Sequence, residues 1–313
     1  MKVKIYILSF LIFATACFAQ TQPASKNSPS APKSKVVAAE RLLKDVETLS
    51  ADEMQGRAAG TEGNAKAREY VLKRFKEAGL KSFGGDFLQE FPVSIRSKPE
   101  TVKGFNVVGC IKGEKQPEKY IVVSAHYDHV GIVKGEIYNG ADDNASGVAA
   151  LFAAAEYFGK NRPSHSIIFA AFDAEENGLQ GSRYFVANLP VKKEAVALNV
   201  NMDMLSRSEK GELYAAGTFH YPDLKPLLKT VRKNASVKLL FGHDSPDLGS
   251  DDWTGQSDHA AFHRAKIPFI YFGVEDHEDY HRPTDVFAKI DGEFYVKAVE
   301  TVITAVDFLD KKL

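Results

Sequence analysis

The sequence predicts an α/β protein built on a mostly parallel, twisted mixed sheet with helices on both faces. Three observations carry this expectation. Short apolar runs of strand length alternate with longer amphipathic runs from residue 36 to the end. Several short runs (Tyr120–Val123, His165–Phe172, Val196–Val200) are nearly continuous in apolar residues rather than alternating, as strands buried on both faces are. No internal repeat and no second Pro/Ser-rich linker interrupts residues 36–313, which are expected to form one domain.

The order of elements starts with a leader. Met1-Lys-Val-Lys4, the apolar run Ile5–Ala16 and Cys-Phe-Ala-Gln read as a secretory signal peptide over residues 1–19, too short to span a membrane comfortably. Cleavage after Ala19 is the preferred reading. A lipoprotein cut before Cys17, with a lipid anchor on that cysteine, is the rival, weakened by Ala14 where a larger aliphatic residue is usual. The expected location is periplasmic or secreted, with an outer-membrane lipoprotein as the alternative. No transmembrane segment is expected once the signal is removed. Gln20–Lys35, rich in Ser, Pro and Lys, is expected to be a disordered tether.

Val36–Leu49 places Val36, Val37, Leu42, Leu43, Val46 and Leu49 on one helical face. The turn-rich Gly56-Arg-Ala-Ala-Gly-Thr-Glu-Gly63 leads into a helix over Asn64–Ala78, stopped by Gly79. Strands follow at Phe87–Val93, Phe105–Ile111 and the run ending at Ala125, then an alanine-rich helix, Ala145–Tyr157. Next come strand His165–Phe172, a short helix Ser182–Asn188 and strand Val196–Val200. Leu213–Ala216 is expected to pair at an edge, followed by helix Pro222–Ala235 and strand Val237–Phe241. Helix His259–Ala265, strand Ile267–Phe272 and a terminal helix Phe294–Leu309 complete the order, with polar loops over 242–257 and 275–285.

Composition narrows the function classes. The 313 residues carry a formal net charge of −1, which gives no electrostatic reason to expect nucleic acid. Of the two cysteines, Cys17 leaves with the signal or becomes lipidated, so no disulfide is expected. Cys110 sits in an apolar run and reads as a core filler.

The chemistry lies where apolar strands stop. Ser124-Ala-His-Tyr-Asp128 follows one strand, Asp173-Ala-Glu-Glu-Asn-Gly178 another, and Asn201-Met-Asp-Met204 a third. Gly140-Ala-Asp-Asp-Asn-Ala-Ser-Gly147 opens the alanine-rich helix, and His281 lies on a late loop. Carboxylates and imidazoles gathered at one sheet edge suit a divalent transition metal, in the crevice where open α/β sheets bind ligands. In the extended His126-x-Asp128 both side chains point the same way, so Asp128 can fix the imidazole tautomer a metal needs. Glu175 and Glu176 diverge as neighbours, so one can ligate while the other reaches water. Asp142 and Asp173 read as local hydrogen-bonding or capping groups.

Together His-Tyr-Asp, Gly-Ala-Asp-Asp-Asn-Ala-Ser-Gly, Glu-Glu-Asn-Gly-Leu-Gln-Gly-Ser, Asn-Met-Asp-Met and Tyr-His-Arg-Pro-Thr-Asp resemble the M28 family of zinc metallopeptidases, which includes bacterial leucyl-type aminopeptidases. The resemblance covers about Leu49 to Leu309 and includes the Gly-Arg-Ala-Ala-Gly-Thr loop and Ser257-Asp-His-Ala-Ala-Phe262. It implies a site for two zinc ions: His126 and Asp203 on one, Glu176 and His281 on the other, and Asp143 bridging them. It also implies a cis peptide bond from Asp143 to Asn144, Asp128 behind His126, and Glu175 as general base. Tyr280 is the candidate oxyanion hydrogen-bond donor, by analogy with members that have Tyr-His at this place.

Among the other histidines, His129 can line the pocket and His259 can stand behind it. His165, His220, His243, His263 and His277 read as surface or core residues. The implied activity is an exported aminopeptidase acting on peptides. Within the same fold the alternatives are a one-zinc glutaminyl cyclase, whose pattern has Gly-Ala-Thr-Asp-Ser where this chain has Gly-Ala-Asp-Asp-Asn, and a carboxypeptidase-like enzyme for acidic dipeptides. The last needs an arginine-lined pocket, for which Arg57, Arg264 and Arg282 are the candidates. A binding module that kept the fold is the non-enzymatic alternative, opposed by the presence of every implied ligand and of Glu175.

Overall fold

The computed structural model describes residues 32–96 and 99–313. The leader, Cys17 and the tether as far as residue 31 lie outside the described residues. No described helix is long and apolar enough to cross a membrane.

Helix α1 (Ala39–Leu49) buries Leu42, Val46 and Leu49. After the Gly-rich turn, α2 (Glu62–Glu77) starts at Thr61, whose hydroxyl accepts from Asn64 N and caps the helix. Strands β1 (Leu88–Val93), β2 (Val102–Ile111) and β3 (Gln116–His126) come next. A small hairpin of β4 (Gly131–Val133) and β5 (Glu136–Tyr138) leads to α3 (Gly147–Lys160). Strand β6 (His165–Phe172), helix α4 (Gln180–Ala187), β7 (Val196–Met202) and β8 (Glu212–Ala216) follow. Then come α5 (Leu224–Lys233), β9 (Lys238–Phe241), α6 (His259–Arg264), β10 (Phe269–Gly273) and α7 (Gly292–Asp310).

The eight-stranded sheet runs β1-β2-β6-β3-β7-β10-β8-β9. Its four central strands, β6, β3, β7 and β10, are mutually parallel, whereas β2 and β8 flank them antiparallel. Every residue of β6 is buried, because both faces of the sheet are covered. Ile121, Val123, Ile167 and Phe169 point into the larger core beneath α1, α2, α3, α5 and α7. Val122, Ile168, Ala170 and Phe172 point the other way, onto Phe185 of α4 and Phe262 of α6. Helix α3 buries Ala149, Ala150, Ala154 and Ala155, small side chains that let it lie close to the sheet and its neighbours.

Two expectations need correction. Leu213–Ala216 lies inside the sheet, not at its edge: β8 pairs with β10 on one side and in parallel with β9 on the other, leaving β9 as the rim. The β4–β5 hairpin was not anticipated. Its strands are only three residues long, too short for an alternation to register, although the Lys134-Gly135 turn, both with positive φ, is a hairpin signature.

Register places the site. His126 lies opposite Phe172, Ser124 opposite Asn201, and Met202 opposite Phe272. The carboxyl ends of β3, β6, β7 and β10 are therefore level, and whatever follows each of them meets at one edge.

Candidate metal and active site

Each functional side chain is held by a second group that fixes its backbone. His126 ends β3 and is buried. Beyond it, Tyr127 N donates to Phe172 O at 2.8 Å, turning the chain over the end of β6. After β6, the buried Asp173 accepts from Asn64 Nδ2 at 2.9 Å, Phe105 N at 3.0 Å and Ala174 N at 2.8 Å. Those bonds fix the turn that presents Glu175 and Glu176. Asp128 completes it, its carboxylate accepting from Glu175 N at 3.0 Å and Glu176 N at 3.3 Å. Asp128 thus holds the Glu-Glu backbone first: its carboxylate is 3.6 Å from His126 Nδ1, while its own carbonyl oxygen is nearer, at 3.2 Å.

The segment before α3 is bound just as tightly. The Asp285 carboxylate accepts from Asp142 N at 3.0 Å and Asp143 N at 3.1 Å. Asn144 Oδ1 accepts from Gly147 N and Met204 N, and the Asp143–Asn144 peptide is cis. A Cβ at Gly147 would lie 2.3 Å from Asn144 Oδ1 and 2.6 Å from Met202 O, so only glycine allows this approach of α3 to the end of β7. The buried Arg57 donates to the carbonyls of Leu49, Tyr127, Asn139 and Gly140 at 2.6–3.0 Å.

These supports bring all the sequence-predicted residues together. Asp143 presents a different oxygen to each side: Oδ1 is 3.4 Å from His126 Nε2, and Oδ2 is 3.0 Å from His281 Nε2. His126 Nε2 is 3.3 Å from Asp203 Oδ1, and His281 Nε2 is 3.3 Å from Glu176 Oε1. Two donor groups result, His126–Glu175–Asp203 and His129–Asp143–Glu176–His281, with the donor atoms of each within 4.8 Å of one another. Tyr280 stacks on His281 with ring centroids 4.1 Å apart.

The electrostatics favour cations. Burial alone would lower the His126 pKa, but Asp203 and Glu175 raise it well above its ordinary value. Against its burial, His281 is likewise raised to about 10 by Asp143 and Glu176. Burial raises Glu176 in the first instance, yet His129 and His281 bring it down to about 2. Glu175 goes the other way: burial pushes it well above the usual carboxylate range, with Asp258, Asp203 and Glu176 adding to the push. The donor set is oxygen and imidazole nitrogen at spacings near the about 3.3 Å that ligands of one tetrahedral zinc take up. The residues present therefore fit two divalent ions sharing Asp143.

Other expectations fall as follows. His259 is buried with Nε2 2.9 Å from Trp253 O, and its pKa is lowered to about 3 by burial. It supports the loop that carries Trp253 and joins neither donor group. His165 is buried with Nδ1 3.0 Å from Asp310 Oδ1, in the core as expected. His277, read as surface or core, ties its loop to the site through Nε2, 3.1 Å from Asp142 Oδ2. Arg57, Asp285 and Trp253 carry supporting or lining roles that sequence reasoning did not assign. Asp285, as the last residue of Tyr-His-Arg-Pro-Thr-Asp, and Arg57, in the Gly-Arg-Ala-Ala-Gly-Thr loop, had a signal.

A cavity of about 260 Å³ opens onto the donors. Met204, Trp253, Tyr271, Val274 and Tyr280 wall it, with Gln256 and Asp276 as further polar groups. No described lysine or arginine lines it. Arg57 is spent on carbonyl oxygens, and Arg264 and Arg282 are exposed elsewhere. A wider groove of about 830 Å³, lined by Phe91, Arg96, Arg183 and Tyr184 among others, shares Glu176 with the cavity.

Comparison with known proteins places the chain in a family and a fold. The family model for peptidase family M28 matches residues 106–306. Aminopeptidase YwaD of Bacillus subtilis is 32% identical over 244 residues, covering 73% of this chain and 50% of that protein. The chain spans about half the length of the curated relatives it matches. Among solved structures, a zinc aminopeptidase from Bacillus subtilis aligns with a TM-score of 0.67 and 19% identity over 86% of this chain and 94% of its own. Fimbriiglobus ruber glutaminyl cyclase aligns with a TM-score of 0.70 and 20% identity over 90% and 99%. At such identities these two establish the fold alone. On the extent of the family match, residues 106–306, the chain belongs to peptidase family M28.

Proposed function

We propose that the chain is a metallo-aminopeptidase that holds two zinc ions and hydrolyses the N-terminal residue of peptides. The observation that carries this is Asp143, which offers one carboxylate oxygen to each of two donor groups. His126 and Asp203 would hold one ion, Glu176 and His281 the other, and Asp143 both. When bound, the ions supply Lewis acidity that polarises the scissile carbonyl and activates water.

The chain's own groups do the rest. Glu175 lines the cavity within reach of His126 and Asp203; with Asp143 supplying the third ligand there, Glu175 is left to take a proton from the attacking water and deliver it to the departing amine. Burial and nearby carboxylates hold the Tyr280 phenol well above its ordinary pKa, so it stays protonated and can donate to the oxyanion. The small cavity, walled by Trp253, Met204 and Val274, suits one residue with a neutral side chain. The wider groove past Glu176 has room for the departing peptide. The absence of a lysine or arginine among the described residues lining the small cavity disfavours a preference for an acidic residue there.

The glutaminyl cyclase reading is favoured by the fold likeness and opposed by the second, complete donor group around Asp143 and His281. Export goes with the proposal, supported by the leader-like residues 1–19; the mature N-terminal sequence tests it and distinguishes cleavage after Ala19 from lipidation of Cys17.

The decisive experiment is metal analysis of the purified chain with assays on aminoacyl-anilides, N-acetylated peptides and peptides starting with Gln. Two zincs per chain are expected, with turnover lost on acetylation and about 10²–10⁴-fold slower in Glu175→Gln. One zinc with ring closure of N-terminal Gln would refute the proposal in favour of the cyclase.

A further inference from the structure

His129 belongs to the second donor group, yet the proposed function gives it no role, and it is as buried as the core, at 1% exposure. Neither of its ring nitrogens has a hydrogen-bond partner, and neither does Glu176 Oε1. This is unusual, because Nδ1 and Oε1 lie only 2.8 Å apart. An unpaired buried polar group is costly, so a pair held this close and misaligned calls for a third partner. Two ligands of one ion sit just so: near each other, with their lone pairs aimed at a common point instead of at each other. Nδ1 is also 3.6 Å from Asp143 Oδ2, and the His129 and His281 ring centroids are 5.7 Å apart.

The backbone is shaped for this ring. Gly140 has φ +58°, and a Cβ there would fall 2.5 Å from His129 Cδ2 and 2.7 Å from Cγ. The imidazole fills a space that only glycine leaves open. Arg57, which fixes the Gly140 carbonyl with one guanidinium nitrogen, accepts from His129 N through its own carbonyl at 3.4 Å.

We propose that His129 is a direct metal ligand through Nδ1, sharing one ion with Asp143, Glu176 and His281; the inference rests on the metal-centre reading above. The two positions then differ. One has four protein donors, the other has three: His126, Asp203 and the second oxygen of Asp143. The four-donor position fills first and empties last, and the three-donor position keeps more open coordination.

The test loads the full chain with Co²⁺ and records its proton NMR spectrum in water, where each coordinated imidazole gives one strongly shifted exchangeable N–H resonance. Three are expected, from His126, His129 and His281, falling to two in His129→Ala. Chelator competition on the same proteins should show one ion held more weakly in the variant by more than the about 10–100-fold that loss of a hydrogen-bond partner behind a ligand costs. The other ion should be held as before. Two shifted resonances in the unsubstituted chain overturn the proposal by itself. A chain that takes up no cobalt overturns it together with the reading on which it rests. The count in the unsubstituted chain decides even if His129→Ala fails to fold, and His129→Gln serves as the second variant for the affinity measurement.

Discussion

Replacing Arg57 by Met should remove a large part of the protein's stability while leaving every implied metal ligand in place. The guanidinium is buried and donates four hydrogen bonds, all to main-chain carbonyls: Leu49, Tyr127, Asn139 and Gly140. Methionine fills much of the volume but donates nothing; Gly140 O keeps Ala145 N, and the other three acceptors lose the guanidinium. At the low end of about 1 kcal/mol for each buried unsatisfied group, the loss is about 3 kcal/mol. Relief from burying a charge works against it; burial lowers the Arg57 pKa to about 10 despite four nearby carboxylates. Against a typical total of about 5–15 kcal/mol, a loss of about 3 kcal/mol remains severe. Urea unfolding followed by fluorescence of Trp253, the single tryptophan, would measure it. Arg57→Lys should fall between, because one ammonium cannot reach four carbonyls in different directions. A change below about 1 kcal/mol in Arg57→Met would refute the reasoning, since water would then have to be satisfying those carbonyls.

Three further outcomes are expected. Tyr280→Phe should lower kcat about 10²–10³-fold with KM and zinc content little changed, as steady-state kinetics and metal analysis would show. Burial pushes the Cys110 thiol up to about 12, so at pH 8 only ~10⁻⁴ of it is thiolate; alkylation should be negligible in the folded chain and rapid once urea unfolds it. Removing metal with a chelator should lower Tm by about 5–15 °C relative to protein in zinc at about 100–1,000 times Kd, measured by calorimetry.

The central strands were legible because β6, much of β7 and the Tyr120–Val123 part of β3 are apolar, and the site because polar residues begin where those runs stop. His126, Glu175, Glu176 and Asp203 could be placed at one sheet edge by that rule alone. What could not be read depends on pairing and on main-chain partners. The inner position of β8 follows from β9 lying outside it, which no period in Leu213–Ala216 encodes. The role of Arg57 is invisible because its partners are carbonyl oxygens, which every residue has. Asp128 showed its proximity to His126 but not its bonds to two backbone amides. His129 was ambiguous for a different reason: an imidazole three residues past a strand end is compatible with a ligand, a pocket wall or a core filler, and only its unpaired nitrogens separate them.

The acids of this site divide by what they accept. Asp128, Asp173 and Asp285 each receive two or more backbone N–H bonds, from Glu175 and Glu176, from Phe105 and Ala174, and from Asp142 and Asp143. Asp143, Glu175, Glu176 and Asp203 receive no backbone N–H bond among the described residues, and their oxygens face the histidines and the cavity. Amide bonds favour the anion and leave few lone pairs for a cation, even though burial still raises Asp173 to about 7 and Asp285 to about 6. An acid left without them needs a cation or a proton. The first three therefore set the backbone geometry of the site and the other four its chemistry. Asp128 and Asp173 pin the turn that presents Glu175 and Glu176, and Asp285 pins the backbone of Asp143, whereas Asp203 follows β7 with no such acid of its own. A substitution in the first set should move all the ligands of a neighbouring turn together, whereas one in the second should change a single donor.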